Sequence, residues 1–211
     1  MVSRKFAPFL DAAAVAADLL AQPEVAQRWD LDSVLEHCPV SALSGHLLRA
    51  LTTVDTYLAF RPSGAEPVSA AEYFARLVTS DIDTPANQAI RARGADMAAG
   101  GPAEVARAAS AAAGQLPARL AGEDPGRLLK VAGGLVMSLQ EYLKTRVVEL
   151  IIHGDDLAAS VGVAFGPVSP GATAMAISTL VEVARVRHGD LPVLRALARR
   201  ERDSVQALRV L

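Results

Sequence analysis

The chain has 211 residues, enough for one sizeable domain with an appendage, and a domain of this size buries a core without disulfides or a structural metal. Its hydrophobic share of 51% is carried by alanine, leucine and valine, with only five Phe, three Tyr and one Trp, a composition that suits close-packed helices and an all-α class. The net charge of -2 comes from interspersed acids and bases, which argues against nucleic acid as a partner, and the single cysteine, Cys38, excludes an intramolecular disulfide framework and fits a reducing compartment.

The charged start Met-Val-Ser-Arg-Lys-Phe has no sustained apolar region behind it, and no stretch approaches ~20 apolar residues free of charge, so the expectation is a soluble, cytoplasmic protein without a membrane partner. A first helix is predicted from Phe6 to Leu20, where Phe6, Phe9, Leu10, Ala13, Val15, Ala16 and Leu20 recur at helical spacing until Pro23 interrupts. Trp29 to Pro39 reads as a loop. A second helix is predicted from Ser41 to Phe60, with Leu43, Leu47, Ala50, Leu51, Val54 and Leu58 as its buried stripe and Arg61-Pro62-Ser63-Gly64 as its stop.

Ser69-Ala-Ala-Glu72 has the form of a capping box opening a short helix through Val78, and Asp81-Ile-Asp-Thr84-Pro85 supplies an N-cap followed by proline at the first helical position. The helical region beyond is interrupted by Gly100-Gly101-Pro102 and resumes to Leu120, as one bent helix or two, before a loop with Gly122, Asp124, Pro125 and Gly126. Leu128 to Met137 is apolar around Gly133-Gly134 and is compatible with extended structure. Ser138-Leu-Gln-Glu141 reads as a second capping box, opening a helix to Val161 that stops at Gly162. Beyond Gly166-Pro167 and Pro170, Ala172 to Val186 and Leu191 to Arg200 are predicted helices separated by Gly189, with a short extended end from Val205 to Leu211. Residues 1–166 are expected to form the main domain and 167–211 a helical extension.

The chemistry lies on the helix that begins at Ser138. Arg146, Glu149, His153 and Asp156 are spaced by three, four and three, so four ionisable side chains share one stripe. Leu139, Tyr142, Leu143, Val147, Leu150, Ile151, Ile152 and Leu157 take much of the remaining circumference, so the helix should be largely buried and its charges need partners or a metal. Glu149 and His153, at i and i+4, have a spacing that more often marks a local hydrogen-bonded pair but that also suits two ligands on one cation. His46, inside the apolar stripe of the second helix beside Leu43, Leu47 and Ala50, is the candidate third ligand.

The run Tyr142-Leu-Lys-Thr-Arg146-Val-Val-Glu149-Leu-Ile-Ile-His153-Gly-Asp155-Asp156-Leu157 resembles the Arg-x-x-Glu-x-x-x-His-x-x-Asp-Leu signature of mycothiol-dependent maleylpyruvate isomerase-like proteins, and Leu43-Ser-Gly-His46-Leu47 is similar to the helix bearing their first histidine. The resemblance covers residues 6 to 162 in order and spacing. It implies a DinB-like up-and-down four-helix bundle, here with extra C-terminal helices, and a divalent metal on His46, Glu149 and His153, typically zinc, with nickel or iron as alternatives. It further implies a small thiol, mycothiol, activated on that metal to attack an electrophilic substrate, as in a transferase or isomerase. The tail Gly189-Asp-Leu-Pro-Val-Leu-Arg195-Ala-Leu-Ala-Arg199-Arg resembles the ending of short relatives rather than the larger C-terminal domain of the isomerase, so maleylpyruvate itself is not implied. Where relatives carry a tryptophan ahead of the first-histidine helix, this chain has Cys38-Pro39-Val40, which points to a different pocket wall.

Three protein ligands leave an open metal position, the catalytic rather than the structural pattern. Asp156 is placed to orient an imidazole, to cap the helix or to form an interhelix salt bridge; Arg146 is placed to clamp a substrate carboxylate or to neutralise Glu149 and Asp156. Asp155 points to another face. His37 and Cys38 are adjacent in a loop and diverge, His188 complements a helix end, and Arg195, Arg199, Arg200 and Arg202 read as a solvated face. A metal-dependent hydrolase and a non-enzymatic metal-binding or interaction protein are the competing readings, and bundles of this type often pair as homodimers.

Overall fold

The computed structural model describes residues 3–59, 62, 66–78, 84–202 and 205–211. The expected end of the second helix at Phe60, the stop residues Arg61, Ser63 and Gly64, and the lead-in Asp81–Asp83 lie outside them. Helix α1 (Ala7–Leu20) follows a 3-10 turn at Arg4–Phe6 and buries Phe9, Ala13, Ala16 and Leu20, while Leu10 and Val15 are half-buried. Pro23, read above only as a break, also starts the short helix α2 (Pro23–Gln27), because a proline at the first helical position gives up a hydrogen bond that no helix makes there.

Helix α3 (Val40–Leu58) buries the whole expected stripe from Leu43 to Leu58. Helix α4 (Ala70–Leu77) has both legs of the Ser69–Glu72 capping box, and helix α5 (Pro85–Ala98) is capped by the Thr84 hydroxyl. The region beyond Gly100 resolves as a separate helix, α6 (Pro102–Arg119), since Gly101 turns the chain at φ 82. The Leu128–Met137 segment is a small antiparallel hairpin, β1 (Leu128–Lys130) against β2 (Val136–Ser138), with Leu129 opposite Met137 and both fully buried. Helix α7 (Leu139–Val161) ends where expected, at Gly162 in the left-handed region with φ 74.

The capping box expected at its start is only half formed. The Ser138 hydroxyl accepts from the Glu141 amide, but the Glu141 carboxylate accepts from the Ala70 amide at 2.9 Å and pairs with Lys144. Glu141 thus ties the start of α7 to the start of α4, and the tertiary partner wins over the local one. Helices α8 (Pro170–His188) and α9 (Asp190–Ala198) follow, separated by Gly189 at φ 83. The expected extended end is instead a 3-10 turn at Val205–Leu208 leading into the last residues.

Helices α1, α6, α3 and α7 pack in a closed ring, each against the next, and α5 lies along α3. Phe6, Phe9, Leu43, Leu47, Leu51, Leu116 and Leu139 fill the centre. Each such side chain contributes about 1.5–3 kcal/mol on burial, which is why the core needs no metal to hold it. α8 packs on α7, α4 and α1, and the residues after α9 pack back on α8 and α9. Among the described residues no helix is long and apolar enough to cross a membrane.

Candidate metal centre

Two helices of the ring supply the site. On α3, His46 sits between the buried stripe and the cavity described below, with its side chain 21% exposed. Its backbone is held close to α5 because Gly45 and Gly94 meet without side chains: a Cβ on Gly45 would lie 2.0 Å from the Gly94 carbonyl oxygen. On α7, the spacing of three, four and three brings Arg146, Glu149, His153 and Asp156 onto one face, as expected.

His46 Nε2 and Glu149 Oε2 are 2.8 Å apart, and His153 Nε2 lies 3.5 Å from the same oxygen. The two imidazoles meet edge to face with centroids 4.8 Å apart. One ligand atom from each of His46, Glu149 and His153 falls within 4.8 Å of the others. A tetrahedral ion with ligands at about 2.0–2.2 Å needs donors roughly 3.3 Å apart, so the widest pair must close by up to about 1.5 Å for this set to hold an ion. The donors, two imidazole nitrogens and one carboxylate, are those zinc accepts.

The surrounding charges fix the protonation pattern without an ion. Burial opposes ionisation of Glu149, but hydrogen bonds from His153 and His46 and the nearby Arg146 outweigh it, so its carboxyl sits well below the usual range. Burial pushes His46 below the ordinary imidazole value, against the pull of Glu149. At His153 burial is overcome by Asp156 and Glu149, and the ring is raised to about 9. Asp156 Oδ2 accepts from His153 Nδ1 at 3.1 Å, which leaves Nε2 directed to the triad.

Arg146 stands behind the triad. Its guanidinium lies 5.1 Å over the Tyr142 ring, Nη2 is 3.8 Å from Glu149 Oε1, and Nε donates to Thr145 Oγ1 at 3.1 Å. Tyr142 in turn shares a 2.7 Å hydrogen bond with Thr53 on α3. Arg146 is not among the residues that line the cavity, and its contacts are with Tyr142, Thr145 and Glu149. Asp155 is exposed, as expected. His37 is exposed at φ 55, His188 is exposed in the last turn of α8, and Arg199 and Arg202 are exposed while Arg195 is half-buried.

The triad forms the floor of a cavity of ≈ 440 Å³. The loop before α3 supplies Leu35 and Cys38, and it is anchored to α7 by the Val34 amide donating to Ser160 Oγ at 3.0 Å. Burial pushes the Cys38 thiol above its ordinary value, and its sulfur does not belong to the ligand cluster. Sequence reasoning missed the opposite wall: Asn87, Ile90 and Arg91 of α5, Val78 and Leu211. The α5 residues do share one helical face, and the paired Gly45 and Gly94 are the one trace in the sequence of where that face docks.

The family model described as the mycothiol maleylpyruvate isomerase N-terminal domain matches residues 9–158, a span that includes α3, most of α7 and His46, Glu149 and His153. No curated protein and no solved structure matches the chain.

Proposed function

Because the chain belongs to the mycothiol maleylpyruvate isomerase N-terminal domain family, we propose that it is a transferase or isomerase that joins mycothiol to an electrophilic carbon, with His46, Glu149 and His153 as the residues that would hold a zinc ion. The observation that carries this reading is the convergence of three donors from two helices on the floor of a cavity large enough for a small substrate. A divalent ion there supplies Lewis acidity, which favours a thiolate over a thiol and removes the need for a dedicated base.

The chain's own residues prepare the site. Asp156 holds the His153 ring by Nδ1, Glu149 faces both imidazoles with one oxygen, and Arg146 offsets the carboxylate from behind. The cavity walls are mostly apolar. In this reading residues 1–166 are the working unit, residues 167–211 are an extension that completes the cavity wall, and the protein acts in the cytoplasm.

Elemental analysis of the protein purified without chelator, beside His46→Ala and His153→Ala, tests it. The expected result is about one zinc per chain, lost in both variants, and zinc-dependent consumption of mycothiol with an electrophile. Well-folded wild type that takes up no stoichiometric zinc, nickel or iron on reconstitution overturns the proposal. Turnover of an ester or amide without thiol would instead identify a metal-dependent hydrolase.

A further inference from the structure

The cavity wall facing the triad is assembled from segments far apart in sequence, and one side chain holds two of them. Arg187 on α8 donates from Nη1 to the Val210 carbonyl at 2.8 Å and from Nη2 to the carbonyls of Phe74, at 3.1 Å, and Val78. Phe74 is fully buried and Val210 is 4% exposed, so the fork is inserted between packed segments. All three of these acceptors are backbone carbonyls. A planar guanidinium with several fixed donors bridges separate carbonyls in a way that a lysine ammonium does not.

Two residues positioned by this fork line the cavity: Val78, just beyond the end of α4, and Leu211, next to Val210. Ile90 and Leu35 continue the same wall. Among the described residues, the charged lining outside the triad is Glu36 and Arg91, one of each sign. Such a wall offers a multiply charged molecule little to replace its hydration, whereas it removes apolar surface from water.

We propose that Arg187 is a positioning residue for the metal cavity, and that the apolar wall it holds, Val78 and Leu211, selects a second substrate with an apolar body rather than a small polyanion. This rests on the reading of the cavity as the place where that substrate meets the activated thiol. Selectivity comes from the wall and not from the metal, so it is measurable with or without an ion.

Cys38, the single cysteine, lines the same cavity and serves as the reporter. The rate of its alkylation by iodoacetamide at alkaline pH is measured on the full chain, zinc-loaded and zinc-free, in the presence of n-alkanols from propanol to heptanol, and of adipate. Protection is expected to tighten about fourfold per added methylene until the cavity is filled, with hexanol protecting better than adipate. Arg187→Ala, Val78→Ser and Leu211→Ser are expected to flatten that dependence while their zinc content stays at the wild-type value. Should Arg187→Ala not fold, the half-exposed Leu211 provides the decisive variant. Protection that ignores chain length, adipate outcompeting hexanol, or an unchanged dependence in the folded variants overturns the inference. Failure to bind zinc would overturn the proposed function and leave this measurement standing on the zinc-free protein.

Discussion

Replacing Gly94 with alanine probes the contact that places α5 and α3 around the site. The new Cβ would lie 2.5 Å from the Ala42 carbonyl oxygen and 3.5 Å from the His46 amide nitrogen, so the helices must separate by roughly 0.8 Å to restore an ordinary contact. The obstacle is backbone, so no rotamer change relieves it, and the cost falls at the upper end of overpacking, about 3 kcal/mol. Alanine's better helix propensity returns about 1 kcal/mol. The net loss of about 2 kcal/mol corresponds to a Tm lower by about 4–8 °C for a domain of this size. Gly45→Ala meets the Gly94 carbonyl oxygen at 2.0 Å and should cost more, with His46 displaced as its immediate neighbour. The control is Gly114→Ala, in α6, where nothing lies within 4 Å and the same chemistry should stabilise by up to about 1 kcal/mol. Calorimetric Tm, with zinc affinity from chelator competition, reads the outcome. If Gly94→Ala melts at or above wild type like Gly114→Ala, the helices do not approach as closely as described and the placement of the α5 wall is wrong.

Further outcomes follow from other contacts. A Cβ on Gly154 would stand 2.4 Å from the Phe165 ring, a side chain that can move, so Gly154→Ala should cost only about 1 kcal/mol, and the cost should vanish in a Phe165→Ala background when a double-mutant cycle is measured. Burial pushes the Tyr142 phenol from 10.0 up to about 12, so across that window the unfolded chain loses this proton and the folded one keeps it. Native stability should therefore fall as pH rises, by about 2–3 kcal/mol in all, and Tyr142→Phe should remove most of that slope in denaturant titrations. Chelation should leave the far-ultraviolet circular dichroism unchanged, while zinc at about 100 times its Kd should stabilise by about 2.7 kcal/mol, or about 5–10 °C; loss of helix on chelation would contradict the metal-independent core.

Much of this was legible because it depended on local rules. The α7 stripe, the His46 position in the α3 stripe, the Ser69 box and the Gly162 stop each follow from spacing or from a residue's own backbone preference. What was not legible depended on partners remote in sequence. Glu141 left its local cap for the Ala70 amide, which no reading of Ser138 to Glu141 alone contains. The tail folds as a 3-10 turn against α8 and α9 because Arg187 and the underlying helices offer it partners, whereas Val205 to Leu211 in isolation favours extended backbone. Pro23 misled for a different reason: the same residue ends one helix and begins the next. The site floor was readable from α3 and α7, but its opposite wall needed the docking of α5 and the tail, to which only the two glycines gave a clue.

The triad's polar neighbours explain why the donors converge in a chain whose core does not require an ion. Glu149 is buried, yet it faces His46 and His153 with one oxygen and Arg146 with the other, so its charge is compensated by protein groups. Those groups are themselves fixed: Arg146 by Tyr142 and Thr145, Tyr142 by Thr53, and His153 by Asp156. Such a network keeps the three donors close together, but an ion would have to displace the proton on His153, whose ring is raised to about 9, before that nitrogen could bind it. The two kinds of wall around the cavity differ in what fixes them. The floor is fixed by buried charges that must stay paired, whereas the far wall is fixed by one guanidinium on backbone carbonyls and by apolar contact. Substitutions in the far wall can therefore reshape that side of the cavity while leaving the paired charges of the triad in place.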